Sequence, residues 1–279
     1  MTLIGDRVKG SCTTGIDSAS FQERFYDEEF DYHVGSPHLT YLPLREKIAD
    51  VIVGEVRSLS ERRLPLRVAE IGAGHGEFTE PLLAAGCEVT ATESSDASTR
   101  ALSQRFGPNP RFTPLYAPDG SFDQLSCDYS LITCVSVLHH IVDYLAALDE
   151  LVQRVRPGGS LITFQDPLLY NGVRRRVRRL DRLGYVTWRL GQGNFREGLR
   201  TQARRLRGSY DDSEPADMVE YHVVRQGMDE RAIVELLERH FGTVSVIRYW
   251  SNHSVAFQRL GDRMGVANTF GVVATDRRS

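Results

Sequence analysis

No run of about 18 apolar residues occurs in the chain, which excludes a transmembrane helix of ordinary length. Mean hydropathy is −0.31. The opening MTLIGDRVKGSCTT has no apolar h-region of a secretory signal, so a cytoplasmic location is expected. The four cysteines, Cys12, Cys87, Cys127 and Cys134, show no CxxC spacing. That argues against a structural zinc site or a disulfide framework and reads as reduced thiols. Lysine is nearly missing: Lys9 and Lys47 stand among 34 basic residues, and the others are arginine, a bias that fits a GC-rich genome. A net charge of −3 excludes a global field for nucleic acid. No internal repeat or long low-complexity tract is present. What remains is an ordinary soluble composition, 41% hydrophobic and 25% charged, in 279 residues. A chain of that length buries a sizeable core without staples.

Strand and helix patterns alternate through most of the chain. RVAEI (67–71), CEVTATE (87–93), RFTPLY (111–116), DYSLITCVSVL (128–138) and SLITFQD (160–166) read as strands, the third weakened by Pro114. EFTEPLLAAG, SSDASTRALSQRFG and YLAALDELVQRV read as the helices between them, with N-cap candidates Ser94, Ser95 and Asp96 on the second. The order predicts an α/β fold with a doubly wound, mostly parallel sheet. After residue 167 the alternation stops and resumes with MDERAIVELLERHFG, TVSVIRYW, SVAFQRLGDRMG and NTFGVVAT. The expected organisation is an arm and helical lid over 1–44, a core over 45–167 and 226–279, and a helical cap over 168–225.

Gly72, Gly74 and Gly76 follow the first strand at once, in VAEIGAGHGE. Glycines there permit a tight turn and let a ligand rest on bare backbone. Glu93 ends the next strand and can accept hydrogen bonds from ribose hydroxyls. Together they point to a nucleoside-containing cofactor at the carboxyl edge of the sheet. A dinucleotide loop, G-x-G-x-x-G, would place its last glycine at 77, where this chain has Glu77, and a carboxylate beside a pyrophosphate is unfavourable.

EIGAGHG resembles the first motif of the class I S-adenosylmethionine-dependent methyltransferases. Glu93 resembles their ribose-binding acid, and VRPGGSLI the turn before their fifth strand. The final helix–strand–strand order is similar to their reversed seventh strand. The resemblance covers roughly 45–167 and 226–279, and implies a seven-stranded Rossmann-like fold and S-adenosylmethionine as cofactor. It implies that Glu70, Gly72, Ala73 and Gly74 lie near the methionine half, that Glu93 and Ser94 hold the ribose, and that Asp119 reads the adenine. It also implies that Cys134 and Val135 approach the sulfonium with backbone atoms. In FYDEEFDYHVGSPHLTY, similar to a lid, Tyr26, Tyr32, His33 and His38 are polar candidates, with Tyr32 or Tyr41 expected on the cofactor.

Methyl transfer to a hydroxyl needs a proton acceptor, and histidine suits that near neutral pH. His139 and His140 follow the fourth strand and Asp166 ends the fifth, so a base and an acid that orients it are expected at one edge. Packing near the cofactor is the bland reading of the histidines, and a helix N-cap that of Asp166. Trp250, His222 and His253 fall on segments expected to border the pocket. Twelve arginines lie between Arg174 and Arg207. They read as a solvated face, an anion site for the substrate, or an RNA-binding face, in that order. The function expected is O-methylation of a small organic molecule in secondary metabolism, such as antibiotic biosynthesis. C-methylation of a terpenoid or aromatic intermediate is the alternative. An RNA methyltransferase is less favoured, because CVSVLHH stands where N-P-P-Y would be. No metal and no membrane partner is expected, and self-assembly into a homo-oligomer is compatible with the sequence.

Overall fold

The computed structural model describes residues 35–191 and 227–279. Seven strands form one sheet: β1 (Arg67–Ile71), β2 (Glu88–Glu93), β3 (Phe112–Tyr116), β4 (Tyr129–Val135), β5 (Val155–Pro167), β6 (Phe241–Tyr249) and β7 (Thr269–Arg277). Their order is β3-β2-β1-β4-β5-β7-β6. The pairings from β3 to β5 are parallel, and β7 runs antiparallel to both β5 and β6. The expected doubly wound sheet with a reversed last strand is therefore present. Pro114 sits in β3 at the sheet edge, paired on one side only, where a missing N–H is tolerated.

The helices are α1 (Pro37–Thr40), α2 (Leu42–Glu61), α3 (Thr79–Ala84), α4 (Asp96–Phe106), α5 (Tyr144–Arg154), α6 (Arg175–Gly191), α7 (Glu230–Glu238) and α8 (Val255–Met264). Alternate strand residues face two cores. Val68, Leu131, Ile162 and Phe164 pack with Ile48, Ile52 and Val56 of α2, Leu82 of α3 and Leu102 of α4. Ala69, Ile132, Leu161 and Val272 pack with Leu148 and Val152 of α5 and Ile233 and Leu237 of α7. With both faces covered, every residue of β4 is buried. Caps set the helix starts: Ser95 Oγ accepts from Ser98 N–H, Asp143 Oδ1 from Ala146 N–H and Asp229 Oδ1 from Arg231 N–H. No helix among the described residues is long and apolar enough to cross a membrane.

Several boundaries differ from expectation; the fourth strand ends at Val135 rather than Leu138, which lies in a 3-10 turn. The helix after the glycine loop starts at Thr79 rather than Glu77, because residues 74–78 continue as turns. The fifth strand begins at Val155, since the Pro157–Gly159 stretch is a register irregularity within it.

The described part of the arginine-rich stretch is α6, which rests on the loop between β6 and α8. Asp181 Oδ1 accepts from Asn252 Nδ2 at 2.9 Å and Asn268 Nδ2 at 3.0 Å. Burial pushes the Asp181 carboxyl up to about 6, and the two amide hydrogen bonds oppose the shift. Gly184 is the one buried residue of α6, and a Cβ there would lie 2.2 Å from Asn252 Oδ1. Arg174, Arg175, Arg176, Arg178, Arg179 and Arg182 are exposed, which accords with a solvated face. Gly184→Val should lift α6 from Asn252, weakening its docking by about 1–3 kcal/mol, the usual cost of overpacking. Hydrogen exchange should show faster exchange over 177–190 with the sheet unaffected. Unchanged protection of α6 would contradict this docking.

Candidate active site

The strand order reverses between β1 and β4, and in such sheets the crevice outside the carboxyl ends of the strands is where ligands bind. Gly72 (φ 65°), Gly74 (φ 59°) and Gly76 (φ 88°) turn the chain at that point. A Cβ on Gly72 would meet Val137 Cγ2 at 2.6 Å, and one on Gly76 would meet Phe106 Cε2 at 2.2 Å. The loop amides are tied to the neighbouring strand. Gly72 N–H and Ala73 N–H donate to Thr92 O at 3.0 and 3.2 Å, and Gly74 N–H donates to the Glu93 carboxylate. Gly76 N–H closes on Ala73 O at 2.9 Å.

Two carboxylates are pinned beside this loop. Thr79 Oγ1 donates to Glu70 Oε2 at 2.6 Å, with both residues buried. Burial pushes Glu70 up to about 8; the Thr79 hydrogen bond opposes this, and the charges of Glu93 and Glu77 add to it. Glu93 is pushed to about 7 by burial, against the backbone amides of Gly74, Ser94 and Ser95. The crevice is lined by His38 and Leu39 of α1, by Glu70, Ile71, Gly72, Ala73, Glu77 and Phe78, and by Val135. The His38 ring lies nearly parallel to Phe78, with centroids 6.3 Å apart and planes at 12°. Tyr41 instead precedes α2 and packs against the α2-side core. Tyr32, Tyr26 and His33 fall outside the described residues, as does His222.

Ser94 is half-buried next to Glu93. Ala117 N–H donates to Glu93 O at 2.7 Å, so the loop after β3 is fastened to the same edge. Asp119 is exposed in that loop, and its Oδ1 accepts from Ser121 N–H at 3.0 Å, which holds its carboxyl below the ordinary value. Cys134 and Val135 end β4. Burial pushes the Cys134 thiol up, as does the Asp166 charge, so it stays protonated.

Past β4, Ser136 adopts a left-handed φ of 63° and Leu138–His140 form a single 3-10 turn. That turn carries His139 onto Asp166. His139 Nδ1 lies 3.1 Å from Asp166 Oδ1, which also accepts from His139 N–H at 3.2 Å. Asp166 is fully buried and His139 nearly so. The half-buried ring of His140 packs on that of His139, with centroids 4.1 Å apart. Asp166 lies in β5 and caps no helix. Among the described residues no cluster of histidine, cysteine and carboxylate groups suits a metal ion.

Trp250 is fully buried, its Nε1–H donating to Phe257 O at 3.0 Å, and so belongs to the core. His253 packs against Trp188 and Tyr185 of α6 at 4.6 and 5.5 Å. Burial pushes its imidazole down to about 4, so it is neutral at pH 7. Sequence reasoning missed Phe78 and Leu39 as lining residues, because neither carries polar chemistry. It also missed the polar groups around Gln165, Tyr249 and Ser251, which belong to segments far apart in sequence.

A family model described as a methyltransferase domain matches residues 44–208, more than half of the chain. The chain is 30% identical over 112 residues to a highly reducing polyketide synthase of Strobilurus tenacellus, covering 36% of this chain and 4% of that protein. It is 30% identical over 97 residues to a ubiquinone biosynthesis O-methyltransferase of Aromatoleum aromaticum, covering 34% of this chain and 42% of that one. The matches thus span less than half the length of these curated relatives. Among solved structures, it resembles the N-methyltransferase NodS from Bradyrhizobium japonicum WM9, in complex with S-adenosyl-L-homocysteine. The TM-score is 0.50 at 15% identity, over 94% of this chain and 98% of that one. The fold is the seven-stranded Rossmann-like one anticipated above, and the chain belongs to the methyltransferase domain family.

Proposed function

We propose that this chain binds S-adenosylmethionine in the crevice beside β1 and β4 and methylates an oxygen atom of a small organic molecule. The pairing of His139 with Asp166, at the sheet edge that carries the glycine loop, is the observation that carries this reading. The donor set fits the cofactor. The amides of Gly72, Ala73, Gly74 and Gly76 are already bonded within the fold, so they do not form the open nest that a pyrophosphate requires. Glu70, Glu77 and Glu93 gather three carboxyl groups there, and a sulfonium and an ammonium would favour their ionised forms where a phosphate would not.

Glu93 and Ser94 would hold the ribose, Asp119 the adenine, and Glu70, Gly72, Ala73 and Gly74 the amino-acid end. Cys134 and Val135 would present backbone to the reacting end, and Tyr32, outside the described residues, is a candidate cofactor contact. When bound, the cofactor supplies an electrophilic methyl group with a neutral thioether as leaving group. The protein's tasks are then to align a nucleophile, exclude water and take up one proton. In this reading Asp166 Oδ1 accepts the Nδ1 proton of His139, the tautomer in which Nε2 is the ring's acceptor and would take the substrate's hydroxyl proton. The buried carboxylate then stabilises the imidazolium that forms. His140 packs on that ring and holds it in place.

The segment 168–225 would cover a lipophilic substrate, and a role in secondary metabolism accords with the similarity to a polyketide synthase. The relative named as an O-methyltransferase supports oxygen as the acceptor. A second reading, C-methylation, draws on the same polyketide synthase similarity and needs no strong base.

His139→Ala should lower kcat by about 10²–10⁴, the usual worth of a general base. Asp166→Asn should cost less, and His140→Ala less than about tenfold. Single-turnover transfer from isotopically labelled S-adenosylmethionine to a phenolic acceptor measures all three. Near-native rates in both His139→Ala and Asp166→Asn would move the assignment to C-methylation.

Glu93 gives a separate prediction. Its carboxyl sits near 7 in the free protein, and ribose hydroxyls donate better to the ionised form. Ionisation of Glu93 on binding releases a proton, and its contribution to affinity rises with pH through about 7 and then levels. Calorimetry with S-adenosylhomocysteine between about pH 6 and 8 should show this rise, and Glu93→Gln should remove the part centred near 7 while leaving the part contributed by Glu70, pushed up to about 8. Glu93→Ala should weaken binding by about 1.5–3 kcal/mol, the worth of hydrogen bonds to a charged group. A pH-independent affinity in the native protein would contradict the ribose assignment.

A further inference from the structure

Asp166 reaches His139 because β5 contains one extra residue. From Thr163 to Asp166 the strand advances three residues, while β7 advances two, from Val272 to Phe270. Side chains alternate faces along a strand, and one inserted residue moves everything after it to the opposite face. Ile162 and Phe164 belong to the α2-side core, so unbroken alternation would send Asp166 there as well. With the bulge, Asp166 registers with Phe270, a member of the α5-side core, and meets His139 instead. The extra residue is Gln165, in a left-handed conformation with φ 69°. A residue with a side chain adopts that conformation only at a cost, so the surroundings must hold it.

What holds Gln165 is a buried clamp. Its N–H donates to the Tyr249 hydroxyl at 2.7 Å, and that hydroxyl donates back to Gln165 Oε1 at 3.2 Å. Gln165 Nε2 donates to Ser251 Oγ at 2.5 Å. The Tyr249 ring lies against Phe164, with centroids 6.0 Å apart. Ser251 is in turn fixed on both backbone groups by the Asn268 side chain, at 2.8 Å each. Tyr249 thus satisfies the amide that the bulge removes from the ladder, as a buried N–H requires. Tyr249 is buried and its phenol is held protonated by burial, so it does not itself exchange protons.

We infer that Tyr249, through the Gln165 bulge, is a positioning residue that keeps Asp166 on His139. This rests on the reading of His139 and Asp166 as the base and its orienting acid, but acts on their geometry and can be read without turnover. The Nδ1–H of His139, shared with Asp166, should give a low-field proton resonance in the unliganded native protein, assigned by its absence in His139→Gln. Asp166→Asn should abolish it. Tyr249→Phe, which keeps the ring and removes only the hydroxyl, should abolish it or weaken it at least fivefold, with the protein folded by thermal melting. Should Tyr249→Phe fail to fold, Gln165→Ala, which leaves the costly left-handed turn but removes both side-chain ties of the clamp, should weaken the resonance in the same sense. Retention of the resonance in the folded variant overturns the inference, as does its absence from the native spectrum. The role of the dyad in catalysis is judged separately, by the kcat of Asp166→Asn. A full resonance in the native protein, lost in Tyr249→Phe, with normal turnover in Asp166→Asn, would uphold the positioning and reject the base.

Discussion

The bond between the Gly74 amide and the Glu93 carboxylate joins the ends of two adjacent strands, and the candidate site is built around it. With Gly72 N–H and Ala73 N–H on Thr92 O, it draws the glycine loop back over β2. The loop then leaves an acidic, backbone-lined crevice in place of a phosphate cradle. The cost falls on the carboxylates: Glu70 and Glu93 are both pushed well above their ordinary values by burial. A cationic ligand bound there, as proposed, would relieve that cost.

The second constraint is a pair of left-handed residues on neighbouring strands, Ser136 after β4 and Gln165 in β5. Ser136 N–H still reaches Phe164 O at 2.8 Å, so the two kinks lie side by side. One starts the turn that carries His139 and the other redirects Asp166. Neither strand would present its functional side chain toward the other with regular alternation alone. The same hydrogen-bonded region extends through Ser251 and Asn268 to Asp181 of α6, so the helix over the sheet edge and the bulge beneath it share one polar framework.

Much of this was legible in the sequence. Alternating apolar runs and glycine or proline stops give the strands, whereas the reversed last strand was implied by the resemblance to the methyltransferase family. The glycine loop was readable because a tight left-handed turn at a strand end demands glycine, and Glu93 because it ends the strand beside that turn. His139 and Asp166 were readable as partners because each ends a central parallel strand. Which histidine faces Asp166 was not, since that depends on the turn after Ser136. The bulge at Gln165 carries no local signal: the glutamine is held left-handed by Tyr249 and Ser251, 84 and 86 residues away. Likewise, Gly184 reads as a weak point in a helix until Asn252 is seen beneath it. Trp250 shows the reverse error, since an aromatic expected near the pocket is buried against Gly261 instead.

In the proposed function, the crevice between β1 and β4 receives a sulfonium nucleoside directed toward His139. A crystal structure of the protein with S-adenosylhomocysteine tests it most directly. Ribose hydroxyls should lie on Glu93, the amino-acid end beside Glu70 and Gly72, and the sulfur on the side of His139 Nε2. A ligand bound elsewhere, or one whose sulfur is turned away from His139, would contradict it.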